Sequence, residues 1–399
     1  RSPSSMRRAA VHCTRARGAA VLAAGAGGGV VYAHCAARRP PDPRDTPPRP
    51  ILTQILHPPP FSLDGSRFDM STYAGRACHF ISVLGDLSTL FLDRATVDAH
   101  LQLLERYRTE GRTPNEGPTD AELWRARKVR DAVIHPETGE MIFAPFRFSA
   151  FAPANLVICA GLLASANSTS LAASAVWQWI NQSYNVGVNY VNRSSGSPPP
   201  ERTFMAYVGA TSSALAIALG MQAAGRSLEA RLASASQSGA STQRLVRGLV
   251  RLTVPMLAVS IGSCVNLYLT RQSELVDGVV ITSLDGAELG HSHLAAKQGL
   301  LECAITRVSW TVALLTLTPI SSSVALAALP ASLASRKAIR FSLDLVVSFV
   351  IIWLAVPLCI AIYPQRECLP IEKVEECYHG VRHPIDGTII QEVWFNKGL

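Results

Sequence analysis

Formal charge is what this sequence has least of. Asp, Glu, Lys and Arg make up 17% of its 399 residues, against about 25% in an average soluble protein. That sparsity argues against an ordinary cytosolic enzyme. Nine cysteines are present but no CxxC pair, which excludes a zinc ribbon and a thioredoxin-like redox site. Cys159, Cys264, Cys303 and Cys359 sit in or beside apolar stretches, where cysteine acts as a small hydrophobe. Cys368 and Cys377 flank a polar tail, a placement open to pairing in an oxidising compartment. Nucleophile-elbow, phosphate-loop and HExxH patterns are also missing from residues 67–399, so no catalytic residue, metal or cofactor is expected. His291 and His293 are the closest pair of histidines, with Asp285 and Glu288 nearby. A solvated loop is the expectation there, ahead of a metal site.

The net charge of +8 is unevenly placed. Residues 1–49 hold nine Arg and two Asp, whereas the rest of the chain holds 28 basic and 27 acidic side chains. A nearly neutral body excludes a nucleic-acid partner, because phosphate recognition needs cations on the folded surface. Residues 1–41, with seven Arg and no acidic side chain, have the composition of a mitochondrial targeting segment. The Pro-rich stretch 42–60 reads as a linker. Residues 61–147 have ordinary soluble composition, and two helices can be placed there. Asp93 caps one that aligns Val97, Leu101 and Leu104. Thr119 and Glu122 form a capping box for another, through Leu123, Ala126 and Val133, which must stop before Pro136.

Beyond this soluble helical part, charge disappears in blocks. Uncharged windows cover 148–192, 203–225, 252–270, 308–335 and 345–365. About 20 helical residues cross a hydrocarbon core of roughly 30 Å, and a charge at the centre costs about 2.5 to 3.5 kcal/mol. The windows therefore predict an all-α, multi-pass helical membrane protein. Its transmembrane region is 148–365, with five spans at about 150–167, 203–223, 250–270, 308–329 and 343–363, and a C-terminal tail at 366–399. Apart from Arg251 at the edge of the third, no Lys or Arg lies inside those spans.

The segment from Trp177 to Asn192 is uncharged but too polar for a simple lipid-facing helix. Asn181, Asn185 and Asn189 recur at four-residue spacing, flanked by Gln178 and Gln182, and so form one amide stripe. Trp179, Ile180, Val186 and Tyr190 lie on the other side. An unpaired amide in hydrocarbon costs several kcal/mol. The stripe must therefore face neighbouring helices, water at an interface, or a polar solute. As a lining for a zwitterion, amides donate and accept without adding fixed charge.

The string WQWINQSYNVGVNYVNRSS from Trp177 to Ser195 resembles the signature of the sideroflexins, multi-pass proteins of the mitochondrial inner membrane. Further blocks agree in order: GRACHF from Gly75, ELWRARKV from Glu122, HPETGE from His135, AYVGATSSALAIALG from Ala206, RQSEL from Arg271, AKQ from Ala296, PLCIAIYPQ from Pro357 and the terminal FNKGL. The resemblance covers about Arg67 to Leu399. It implies transport of small neutral amino acids, serine first, towards mitochondrial one-carbon metabolism. Members have also been described as tricarboxylate carriers and linked by name to iron. A citrate site needs clustered cations and iron needs converging His, carboxylate or thiolate ligands; the amide stripe fits neither. Some diverged members suggest the alternative of a structural or assembly subunit attached to a respiratory complex. Respiratory-complex or homo-oligomer contacts are accordingly among the expected partners, beside serine and the lipid bilayer.

The substrate-binding candidates are Asn181, Gln182, Asn185, Asn189, Asn192 and Asn266. His135, Pro136, Thr138, Gly139 and Glu140 match the family's motif ahead of the first span. They read either as a structural elbow or as a gate that His135 or Glu140 operates by protonation. Arg271 and Gln272 mark the end of the third span. Pro319 and Pro357, inside the fourth and fifth spans, are the candidates for broken-helix sites. Three departures stand out: Tyr268 replaces the family's proline two residues after Asn266, Cys78 replaces its usual Asn in GRACHF, and the Arg-rich N-terminal extension is unlike the family's usual start.

Overall fold

The computed structural model describes residues 50–398, except 64, 112–116, 136–138, 167–169, 192–199, 235–239 and 385–386. The targeting segment 1–41, the start of the linker, Pro136, Thr138 and Asn192 lie outside the described residues.

Among the described residues, four α-helices form the N-terminal part: α1 Ile51–Leu56, α2 Tyr73–Leu84, α3 Arg94–Glu110 and α4 Asp120–Val133. The two expected helices, α3 and α4, carry their expected caps. Asp93 accepts from the Thr96 N–H, and Thr119 and Glu122 cap each other reciprocally. They pair around Phe61, Leu104, Leu123 and Trp124, and again around Val97, Val129 and Val133. Sequence reading placed neither α1, which falls within the linker, nor α2. The latter buries Ala77, Phe80 and Leu84 against Ile352, Val356 and Ile360, and Arg76 donates to the Ala361 carbonyl at 2.9 Å. The N-terminal part is thereby joined to the last span.

The membrane region comprises α5 Phe151–Ala166, α6 Leu171–Val191, α7 Pro200–Ser234, α8 Ala240–Asp277, α9 His293–Ala327, the short α10 Ala331–Ala334 and α11 Lys337–Ile360. Among the described residues, five segments are long and apolar enough to cross a membrane: Phe148–Ser165, Phe204–Arg231, Gly248–Asp277, His293–Ala327 and Lys337–Ile360. The number agrees with the charge-free windows, but four of these helices are longer than their windows. α8 has 38 residues, about 57 Å at 1.5 Å per residue, so it extends well past a hydrocarbon core. The amide-rich α6 lies among α5, α7 and α8. Two glycines set its closeness. A Cβ on Gly161 of α5 would fall 2.0 Å from the Trp177 ring, and one on Gly187 would fall 2.5 Å from Phe146.

Two stretches read as polar connections are strands. β1 Val279–Thr282, β2 Glu288–Ser292, β3 Arg366–Pro370 and β4 Glu392–Asn396 form an antiparallel sheet in the order β2-β1-β4-β3. Ile281 pairs with Phe395 and Cys368 with Trp394. Val279, Ile281, Leu369, Val393 and Phe395 supply its core. Strands of four or five residues carry too short an alternation to stand out beside spans of twenty. The sheet is a small addition to a mainly helical fold. It also corrects two local readings. Cys368 lies within β3, not at the edge of a polar tail. His291 lies in β2 and His293 opens α9, its N–H donating to Glu375 at 2.7 Å, so neither is in a solvated loop. Among the described residues no group of three His, Cys, Asp or Glu side chains converges to hold a metal.

Candidate functional site

Where the start of α5, α6, α9, α11 and the chain's C-terminal end converge, they enclose a cavity of about 40 Å³, room for about three waters. One wall is aromatic, formed by Phe148, Phe151 and Trp310; the polar groups are Asn185, Asn189, Thr306, Arg307 and Lys397.

Much of the amide stripe is bonded inside the protein. Asn189 Nδ2 donates to Asn266 Oδ1 at 2.9 Å, Asn266 Nδ2 donates to Gln182 Oε1 at 3.3 Å, and Arg307 donates to Asn189 Oδ1. All four side chains are buried, Asn266 to 1% exposure. The seven-residue spacing of Gln182 and Asn189 puts both on the face of α6 that meets α8 and α9. This network orients the one amide while Asn185 lines the cavity. Among the described residues, Asn185 is held by a 3.5 Å contact to Asn181 Oδ1, which leaves its carbonyl oxygen to a solute. Val186, expected on the side away from the stripe, is buried, whereas Trp179 and Tyr190 are 49% and 41% exposed.

The absence of cations from the spans needs correcting. Arg307 precedes the fourth uncharged window by one residue, but α9 begins at His293, which carries Arg307 into the bundle. There its guanidinium lies 5.8 Å from the Trp310 ring, and its Nε has no partner among the described residues. Lys397, from the last residues of the chain, is 2% exposed and holds its ammonium 5.5 Å from the Tyr363 ring centre. Burial pulls this ammonium below the usual lysine range, against the opposing charges of Glu302 and Glu367. A locally neutral sequence thus assembles two cations at one cavity.

Arg271 fixes this C-terminal end. It forms a bidentate pair with Glu274, at 2.9 and 2.6 Å, and donates to the Lys397 carbonyl at 2.8 Å. Both partners of the pair are 4% exposed. Gln272 is exposed and donates to the Leu269 carbonyl one turn back. Tyr268 is 52% exposed. Pro319 and Pro357 break neither helix: α9 and α11 run through them, because one proline removes one backbone donor while packing holds the rest. In the motif ahead of the first span, the His135 N–H donates to the Glu140 carbonyl at 2.9 Å and the Gly139 N–H to the His135 carbonyl at 3.0 Å. Gly139 takes the left-handed φ of +67° that this turn requires. The described part of the motif is an elbow, and neither His135 nor Glu140 is among the cavity's described lining.

The sideroflexin family profile matches residues 62–399. The chain belongs to the sideroflexin family. Sideroflexin-5 of Homo sapiens is 34% identical to it over 342 residues, 86% of this chain and 94% of that protein. Sideroflexin-3 of Bos taurus is 34% identical over 84% of this chain and 96% of its own length. The sideroflexin of Dictyostelium discoideum is 30% identical over 86% and 98%. No solved structure matches the chain significantly. In this sideroflexin the signature string contributes Gln182, Asn185 and Asn189, and the terminal FNKGL contributes Lys397. Arg307, Glu302 and Thr306 fall outside the motifs, and their only signal is position beside an uncharged window.

Proposed function

We propose that this sideroflexin carries a small neutral amino acid, serine first, across the mitochondrial inner membrane towards one-carbon metabolism, by alternating access. The observation that supports this most is the composition of the cavity. Arg307 and Lys397 offer donors to a carboxylate. Asn185 and Thr306 can accept from an ammonium and bond a hydroxyl. The aromatic wall excludes water, which strengthens each of these contacts. About 40 Å³ suits a compact solute, and two cations do not match the three carboxylates of a citrate. Gln182, Asn189 and Asn266 act through position, by holding α6, α8 and α9 together around Asn185, and Asn181 accepts from Asn185 along α6. Arg271 secures the strand end that delivers Lys397.

Uptake of labelled serine into proteoliposomes, with alanine, cysteine and citrate as competitors, tests this reading. Asn185→Ala removes one hydrogen-bonding group worth about 0.5 to 1.5 kcal/mol, so uptake should fall about three- to tenfold. Unchanged uptake in that variant would sink the site assignment. The rival is a structural or assembly subunit of a respiratory complex, favoured by Tyr268, an exposed aromatic on α8 of the kind that anchors protein interfaces. Migration with a respiratory complex on native gels, together with no transport, selects it.

A further inference from the structure

Lys397 lines the cavity and also lies within charge range of two carboxyl groups, Glu302 on α9 and Glu367 on β3. Glu302 is 2% exposed. Its Oε1 accepts from Gln298 at 2.6 Å, whereas its Oε2 is buried and meets no donor among the described residues. The Oε2 of Glu367 is in the same condition, and the two side chains are within hydrogen-bonding reach of each other. Ionised carboxylates only accept. Two neighbouring acceptor oxygens, both out of water and without a donor, are a stable arrangement only if one carries a proton.

We propose that Glu302 and Glu367 are a proton-binding pair sharing one proton, and that its occupancy couples proton and amino-acid binding through Lys397. The proposal rests on the carrier reading above and names its coupling ion. The charged groups that face the pair come from every neighbouring element. Arg76 of α2 is held by the Ala361, Met70 and Ser71 carbonyls. Arg271 and Glu274 of α8 neutralise each other. Cys303 of α9 sits beside Lys397. With one proton bound, the pair is a single negative charge against Lys397 and Arg76, which leaves positive potential at the cavity for an entering carboxylate. When the proton leaves, the pair becomes doubly negative and cancels it. A zwitterion and a proton therefore bind together and depart together. Burial first, then the hydrogen bond and charge of Glu302, raise the Glu367 carboxyl to about 8 against the pull of Lys397 and Arg76. The proton is accordingly held at neutral pH and lost as pH rises through that value.

Serine accumulation in proteoliposomes under an imposed pH gradient, beside serine–serine exchange without one, is the test. Wild type should accumulate serine up to about tenfold per pH unit at one proton per substrate. Glu367→Gln, a neutral mimic of the protonated state, should exchange serine yet only equilibrate it under the gradient; Glu302→Gln serves as a second variant should the first fail to fold. Wild-type equilibration that ignores the gradient overturns the coupling. Absence of exchange as well as accumulation in wild type defeats the carrier reading instead. The proton pair is then decided by infrared titration of the purified protein. A protonated-carboxyl band that disappears with a midpoint near pH 8 and is missing from Glu367→Gln supports it. A wild-type spectrum without such a band refutes it.

Discussion

Arg271 and Glu274 show what a buried charge demands of its surroundings. Each is 4% exposed, and both guanidinium-to-carboxylate bonds are short. The guanidinium also bonds the Lys397 carbonyl, so its charge and its remaining donors are met. Glu274→Gln should cost about 3 to 5 kcal/mol, since it strands the cation in a low-dielectric interior. Thermal melting in detergent measures this. Only a drop of a few tenths of a kcal/mol would place the pair on a solvated surface. Residue-scale features were unequally legible. Gln182, Asn189 and Asn266 stand out because an amide in an uncharged segment must find a partner. Which partner it finds depends on α8 and α9, whose residues lie 77 and 118 positions away from Asn189. The readings of Pro319 and Pro357 as helix breaks did not hold, because packing along a long helix outweighs one missing donor.

At the scale of elements, α6 depends on close approach more than on apolar area. Its Gly187 meets Phe146, and its Trp177 meets Gly161 on α5. Gly187→Leu must displace either the Phe146 ring or α6 itself. The overpacking should cost about 1 to 3 kcal/mol and shift Asn185, four-tenths of a turn short of one full turn earlier on the same helix, away from the cavity. Lower melting temperature together with reduced serine uptake is the expected result; unchanged behaviour in both assays would mean that α6 packs elsewhere. The caps of α3 and α4 were readable because a cap is a local bond between residues three apart. α2 was not, because its burial is decided by α11, more than 250 residues later in the chain.

Over the whole molecule, the C-terminal strand closes the structure. Both β1 and β3 pair with β4, and the residues just after it place Lys397 at the cavity. A chain ending before Glu392 loses the strand that joins β1 to β3, the partner carbonyl of Arg271 and one of the two cavity cations. Size-exclusion chromatography in detergent should show aggregation, and any dispersed fraction should take up no serine. A monodisperse, transporting truncation would remove the C-terminal end from the site.

The sequence by itself determined the number of spans, the caps of α3 and α4 and the polar face of α6. Each follows from local rules: the cost of charge in hydrocarbon, the orphan N–H groups at a helix start, and the 3.6-residue period. Only the tertiary structure decided that a nearly neutral membrane body brings Arg307 and Lys397 to one small cavity, with Glu302 and Glu367 within charge range of Lys397. A buried charge is tolerated through the partners it meets, and here those partners come from distant elements: Asn189 of α6 meets Arg307 of α9, 118 residues later, and Arg76 of α2 faces Glu367 of β3.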